Sequence, residues 1–273
     1  MKILNIVYTF NSGGVERLII DSTKCLSQNQ NNKSDICIIS EQYEEMLVGE
    51  ISKDVNVFFL KRKKFRKINY LFQILKIIKD NNIDVLHIHQ GGLMKFYFLI
   101  KLLKPKIKIF FTVHDTYIYS ELSFIDRLIS KIICRRIIAI SNGVKNNIIS
   151  KGVSEKKVVL VYNGVDFSKY KMKSISNIKE PICIYNVARF FPPKKGQDLL
   201  ISAGKLLIEK GYKIKMYFVG GNISDIDYIE EMKQLARSFG ILEYVEFLGD
   251  SHNIPEILQN ADIFCTRLTC YGL

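Results

Sequence analysis

Two rhythms of apolar and polar residues alternate along the chain. Short apolar runs of strand length are separated by longer segments in which apolar residues recur three or four positions apart, the period of an amphipathic helix. The first run, Ile3 to Tyr8, ends in Asn11-Ser12-Gly13-Gly14 and is followed by a helical pattern from Val15 to Gln28. Ile36 to Ser40 and Val55 to Leu60 predict two further strands, and Ile68 to Lys79 predicts a helix with Ile68, Leu71, Phe72, Leu75 and Ile78 on one side. Val85 to His89 predicts a strand, Leu93 to Leu103 a helix stopped by Pro105, and Ile107 to Val113, Ile137 to Ile140 and Val158 to Tyr162 three more strands. Asn163-Gly164-Val165-Asp166 is a turn signal, and a polar stretch follows it.

After that stretch the rhythm restarts. Ile182 to Val187, Ile214 to Val219, Val245 to Leu248 and Asp262 to Cys265 predict strands. Gln197 to Lys210, Ile226 to Phe239 and Ile254 to Gln259 predict the helices between them. Strands alternating with helices imply parallel sheets with right-handed crossovers. The expected organisation is therefore α/β: residues 1–166 as one Rossmann-like domain, 167–180 as linker and 181–273 as a second, two doubly wound domains facing a cleft. Ligands of such sheets bind beyond the carboxyl ends of the strands.

A length of 273 residues suits two domains, and 48% hydrophobic with 25% charged residues excludes a disordered chain. The 40 basic against 27 acidic residues give a formal net charge of +13, which points to an anionic partner. Six cysteines form no CxxC pair and mostly lie in apolar runs, so they read as reduced, cytosolic and not zinc ligands. No secretory signal precedes the first strand. The most apolar helix, Leu93 to Leu103, carries Lys95 and Lys101 and is too short to span a bilayer. The expected protein is soluble or peripheral.

Candidate chemistry gathers at strand ends. Gly13-Gly14, between a strand and a helix, lets an anion approach free N–H groups; plain turn chemistry is the competing reading. The GxGxxG fingerprint of a dinucleotide site is absent. Alternation puts His87 and His89 on one face of their strand, but no further ligand has suitable spacing, and no metal is expected. His114-Asp115 ends another strand, either as a functional side chain or as a hydrogen-bonded rim histidine. Arg189, followed by Lys194-Lys195-Gly196 at a helix start, supplies the fork and the point charge that a diphosphate needs.

Lys61, Arg62, Lys63, Lys64, Arg66 and Lys67 put six positive charges around Phe65, directly before the helix from Ile68. Basic residues beside an apolar helical face suit an anionic membrane surface, at ~1 kcal/mol per residue. A solvated charge run and nucleic acid compete, though no helix-turn-helix, RRM or KH signature is present. A second basic and apolar segment runs from Lys95 to Lys108.

In their order along the chain these segments resemble the retaining glycosyltransferases of family 4, which have the GT-B fold. The resemblance is carried by Gly13-Gly14-Val15-Glu16, Thr112-Val113-His114-Asp115, Ala139-Ile140-Ser141-Asn142, Val161-Tyr162-Asn163-Gly164-Val165-Asp166 and Val187-Ala188-Arg189 with Lys195-Gly196. Tyr217-Phe218-Val219-Gly220-Gly221, Val245-Glu246-Phe247-Leu248-Gly249 and Ala261-Asp262-Ile263-Phe264 complete it. It implies an acceptor-binding first domain, a nucleotide-sugar-binding second domain and a hexosyltransferase in bacterial surface polysaccharide synthesis, capsule or lipopolysaccharide. It places Gly13 and Gly14 against the donor, His114 on the donor sugar and Arg189 with Lys195, or Lys194 in its stead, on the diphosphate. Ser251 meets the base through its backbone. No metal or other cofactor is implied. The implied partners are the nucleotide-sugar, a glycan or lipid-linked acceptor and an anionic membrane, with no nucleic acid, at the inner face of the cell membrane. The family's two glutamates after the last strand have no counterpart after Asp262. The second domain is therefore expected to be incomplete. The alternative to an enzyme is a non-catalytic remnant that serves as a binding or partner-associated domain.

Overall fold

The computed structural model describes residues 1–28, 31–62, 69–171, 179–221, 225–251 and 253–266. The chain divides into two compact units, Met1–Val165 and Asp166–Leu273.

In unit 1 the strands are β1 (Lys2–Val7), β2 (Lys33–Ser40), β3 (Val57–Arg62), β4 (Val85–Ile88), β5 (Lys108–Val113), β6 (Cys134–Ala139) and β7 (Val158–Leu160). The helices are α1 (Gly14–Ser27), α2 (Glu45–Gly49), α3 (Asn69–Asp80), α4 (Met94–Leu103), α5 (Ile118–Glu121), α6 (Phe124–Ile133) and α7 (Asn142–Ser150). The strands form one parallel sheet in the order β3-β2-β1-β4-β5-β6-β7. The order reverses between β1 and β4, which makes their carboxyl ends the switch point. Leu4, Ile6, Leu86, Ile88, Phe111 and Val113 pack on one face against Ile74 of α3 and Tyr97 and Ile100 of α4. Val7, Ile36 and Ile38 pack on the other against Ile19 of α1 and Leu47 of α2. Such strands, buried on both faces, are why the sequence shows continuous apolar runs there.

Unit 2 contains β8 (Ile182–Val187), α8 (Pro192–Lys195), α9 (Gln197–Glu209), β9 (Ile214–Val219), α10 (Ile226–Ser238), β10 (Val245–Gly249), α11 (Ile254–Gln259) and β11 (Ile263–Phe264). Its sheet is parallel, ordered β10-β9-β8-β11, with the reversal between β8 and β11. Phe190, Met216, Phe218 and Ile201 form its core with Met232 and Ala236 of α10.

The predicted elements are present, with ends shifted by a few residues. The stretch between the predicted strands Ile107–Val113 and Ile137–Ile140 holds two helices the apolar pattern did not predict. One of them, α6, starts at a cap in which the Ser123 hydroxyl accepts from the Asp126 N–H at 3.1 Å. The helix α7 is capped in the same way by Ser141, which accepts from Val144 N–H at 3.2 Å. A second departure concerns the expected membrane helix. Most of the apolar side of α3, Tyr70, Leu71, Ile74 and Ile78, is buried in the core of unit 1, while Phe72 is 63% exposed. No helix among the described residues is long and apolar enough to cross a membrane.

Candidate functional site

At the switch point of unit 1 the sheet carries a row of polar side chains that its apolar surroundings hold in fixed partnerships. Asn5 lies in the middle of β1, 4% exposed. Its amide nitrogen donates to the Ser34 hydroxyl at 2.9 Å and the Asp35 carbonyl at 3.1 Å, which turns its carbonyl oxygen toward His89, 3.3 Å from Nε2. A carbonyl only accepts, so His89 Nε2 carries the proton. Burial, together with the neighbouring His87 and His114, holds His89 well below the usual histidine range. The ring is therefore neutral, and its Nδ1 is a bare acceptor facing His114 Nε2 at 3.0 Å. His114 Nε2 must then be the donor. Burial lowers His114 to about 4, so it too is neutral, and its own lone pair is left on Nδ1. That buried atom accepts from no described group. His87 completes the row. Its ring lies 4.2 Å from that of His89, its Nε2 is 2.7 Å from the Thr112 hydroxyl, and burial followed by the His114 neighbour lowers it to about 4.

The pairing of His87 and His89 on one face is thus realised, and His114 joins them from β5. Among the described residues no group of three or more His, Cys, Asp or Glu has the geometry to hold a metal ion. Neither Asn5 nor Thr112 stands among the candidate site residues of the sequence; their signal is a polar residue inside a buried run, which must find a partner there.

Gly13 and Gly14 stand at the start of α1, the helix that follows β1. Gly13 is extended, with φ −174°, and a Cβ there would press only on the far end of the flexible Glu16 side chain, with the Asn11 carbonyl in ordinary contact at 3.7 Å. A Cβ on Gly14 would meet nothing within 4 Å. The protein's own packing therefore gives little reason for either glycine, while open space lies before the helix N-terminus.

In unit 2 the strand ends are built from glycine. Gly220, after β9, has φ +121°, and a Cβ there would lie 2.2 Å from the Ala188 carbonyl oxygen. Only glycine lets the two strand-end loops approach this closely. Gly220 N–H donates to Gly249 O at 2.7 Å, tying in the end of β10. Arg189 follows Ala188 with a 67% exposed side chain, its Nε 3.9 Å from the buried carboxylate of Asp225. The short turn α8 carries Lys194 and Lys195 and ends at Gly196, whose left-handed φ of +69° starts α9 at once. Gln197, fully buried, donates to the Arg189 carbonyl at 3.1 Å and fixes the loop to α9. Arg189, Lys194 and Lys195 thus share one loop. Ser251 lies after β10, but its N–H already donates to Asp250 Oδ1 at 3.0 Å.

The basic run of unit 1 falls differently. Lys61 is exposed at the end of β3. Arg62 departs from the expected outward set: its guanidinium lies 4.5 Å over the Tyr70 ring and 5.9 Å from that of Tyr8, and it lines a cavity of about 270 Å³ with Ile6, Gln90 and Tyr97. Lys63, Lys64, Arg66 and Lys67 lie outside the described residues.

Residues 12–169 match the family model described as Glycosyltransferase Family 4, and residues 168–269 match that of Glycosyl transferases group 1. The Staphylococcus aureus capsular polysaccharide biosynthesis glycosyltransferase CapH is 27% identical over all of this chain and 76% of its own length. An uncharacterized 41.2 kDa protein in the cps region of Klebsiella pneumoniae is 27% identical over 83% of this chain and 65% of its own length, so the chain spans just under two thirds of that relative. Anabaena HepE, solved in complex with UDP-glucose, superposes with a TM-score of 0.80 at 19% identity over 99% of this chain and 74% of that one. The fold of the two units is accordingly GT-B-like, each a doubly wound parallel sheet.

Proposed function

The chain belongs to Glycosyltransferase Family 4, and from that premise we propose that it moves a hexose from a nucleoside-diphosphate sugar to a glycan or lipid-linked acceptor of a surface polysaccharide, with retention. The observation that carries this reading is the loop after β8. Arg189 and Lys195, with Lys194 beside them, stand at the switch point of a parallel sheet, anchored by Gln197 and by the Gly196 turn. Cations there neutralise a diphosphate and stabilise it as a leaving group, electrostatic work that a metal performs elsewhere. In the transfer, the bond between the sugar's anomeric carbon and the diphosphate oxygen breaks. The acceptor oxygen bonds to the same face of that carbon, and its proton passes to the departing diphosphate. His114, held neutral, serves as a hydrogen-bonding group toward a sugar hydroxyl rather than as a charged acid. Gly13 and Gly14 leave room for the donor at the N-terminus of α1, and Ser251 lies near the base. HepE, solved with UDP-glucose, supports the donor class, and the names of CapH and the cps-region protein support a capsule-type product.

Calorimetric titration with UDP, GDP and ADP tests the donor site. One of the three is expected to bind, and Arg189→Ala or Lys195→Ala to weaken it by about 10- to 100-fold, the worth of a charge-assisted hydrogen bond, without lowering the melting temperature. No binding of any of the three at millimolar concentration would overturn the reading. Unchanged affinity in both variants would remove these two residues from it.

A further inference from the structure

Helix α6 is apolar on its outer side as well as its inner one, where Ile129 and Ile133 pack on the core. Its polar residues Asp126 and Ser130 are buried, 8% and 0% exposed, with Ser130 bonded to the Tyr119 hydroxyl at 2.9 Å. Four of its large apolar residues point outward: Phe124 is 72% exposed, Ile125 61%, Leu128 47% and Ile132 62%. Helix α4 packs against α6 and adds Phe98, Leu99, Leu102 and Leu103 to the exposed set. A globular helix normally turns its apolar stripe to the core. Contiguous apolar patches of this kind on a soluble unit mark a surface made for an apolar partner.

The charge around the patch identifies the partner's chemistry. At the C-terminal end of α4, Leu103 opens into a cavity of about 780 Å³ lined by Lys79, Lys104, Lys106 and Lys108. Asp84 also lines it, but its carboxylate accepts the Lys2 N–H at 2.8 Å. An apolar face continuous with a lysine-lined crevice matches a surface with acyl chains on one side and anionic headgroups on the other. A second copy of this chain fits poorly, because it brings the same lysines and a formal net charge of +13 to the contact.

We infer that the α4–α6 face of unit 1 docks on an anionic phospholipid bilayer, with Phe124, Ile125, Leu128, Leu102 and Leu103 entering the interface and Lys104, Lys106 and Lys108 meeting the headgroups. This face is distinct from α3, most of whose apolar side the core occupies. It stands whatever sugar the protein transfers. Lys101 takes no part in it, since its ammonium caps the Pro105 and Ile107 carbonyls at 2.7 and 2.8 Å.

Co-sedimentation with phosphatidylcholine vesicles, with and without phosphatidylglycerol, tests the inference. The wild-type chain is expected to bind only when phosphatidylglycerol is present. The triple variant Phe124→Ser, Ile125→Ser, Leu128→Ser alters exposed positions alone, so its melting curve should match the wild type, while vesicle binding falls by at least about tenfold. Each of Lys104→Gln, Lys106→Gln and Lys108→Gln is expected to weaken binding about fivefold at low salt. A wild-type chain that stays in the supernatant overturns the inference. So does a serine triple variant that binds as the wild type does. A dimer in sedimentation equilibrium that the same serine variant dissolves overturns it in favour of a second copy.

Discussion

The two units place their polar residues at the same topological position and obtain opposite electrostatics from it. In unit 1 the polar side chains of the row lie on the strands themselves, Asn5 on β1, His87 on β4 and Thr112 on β5, with His89 and His114 one residue past the last two. They are sunk among apolar neighbours, so desolvation strips them of charge and they satisfy one another as neutral groups. In unit 2 the cations lie on the loop after β8, where Arg189 stays two-thirds exposed. A displacement of two to eight residues past the strand end goes with a cationic loop in place of a neutral hydrogen-bonding row.

Acid should separate the two units most widely. Burial lowers His87 and His114 to about 4, and an unfolded chain returns them to the usual histidine value near 6.5. Between those values the unfolded state binds more protons. The stability contributed by the neutral rings is complete above pH 6.5 and is lost as the pH falls toward 4. The loss is about 3 kcal/mol for each of the two histidines. No described residue of unit 2 is a histidine. Hydrogen exchange resolved by segment, compared at pH 7 and pH 4.5 after correction for intrinsic rates, should show protection falling in unit 1 well before unit 2. Equal losses in both units would mean that the histidine row does not hold unit 1's stability.

A single methyl group should reverse that order. Gly220→Ala combines φ +121° with a Cβ 2.2 Å from the Ala188 carbonyl oxygen, a backbone atom that cannot yield. About 3 kcal/mol of unit 2's stability should be lost, while unit 1 is untouched. Gly14→Ala is the matching change in unit 1. Its Cβ meets nothing within 4 Å, so exchange protection should stay within about 0.5 kcal/mol of the wild type while donor affinity drops. A Gly220→Ala chain with unchanged protection at β8 and β9 would show that the strand-end loops tolerate separation.

The contrast between units was only half legible in the chain. Every strand was read from its apolar run; in β1, β2, β4 and β5 burial on both faces is what makes the run continuous. The cationic loop was also visible, since Arg189, Lys195 and Gly196 are close in sequence. The histidine row was not. Asn5 and His89 are 84 positions apart, and only the β1–β4 register, which sets Asn5 opposite His87, brings them together. Helix α6 escaped for a different reason. Its outer face is apolar and its inner face partly polar, so periodicity gave no clean stripe. The capping pair Ser123 and Asp126 was the local signal. For α3 the pattern was right in part: Leu71 and Ile78 face the core while Phe72 faces out, so most of the apolar side of this amphipathic helix is used in packing, as in most such helices.

The finest test of the neutral row is the proton on His114. Asn5 fixes the His89 proton on Nε2, and His89 then accepts from His114 through Nδ1. The ring nitrogens of His114 should therefore report, by nitrogen NMR at neutral pH, a neutral ring protonated on Nε2. Two substitutions separate the relay from simple packing. In His89→Asn the amide oxygen takes the place of Nδ1, so the acceptor for His114 is kept and the tautomer should survive. In His89→Gln the amide reaches the place of Nε2, so the contact with Asn5 is kept and the acceptor for His114 is lost. Losing one hydrogen bond of ~1 kcal/mol shifts the tautomer ratio about fivefold, a small change beside the others but one with a definite sign. If both variants shift His114 equally, the ring is held by burial alone; if wild-type His114 carries its proton on Nδ1, the direction of the relay from Asn5 is wrong.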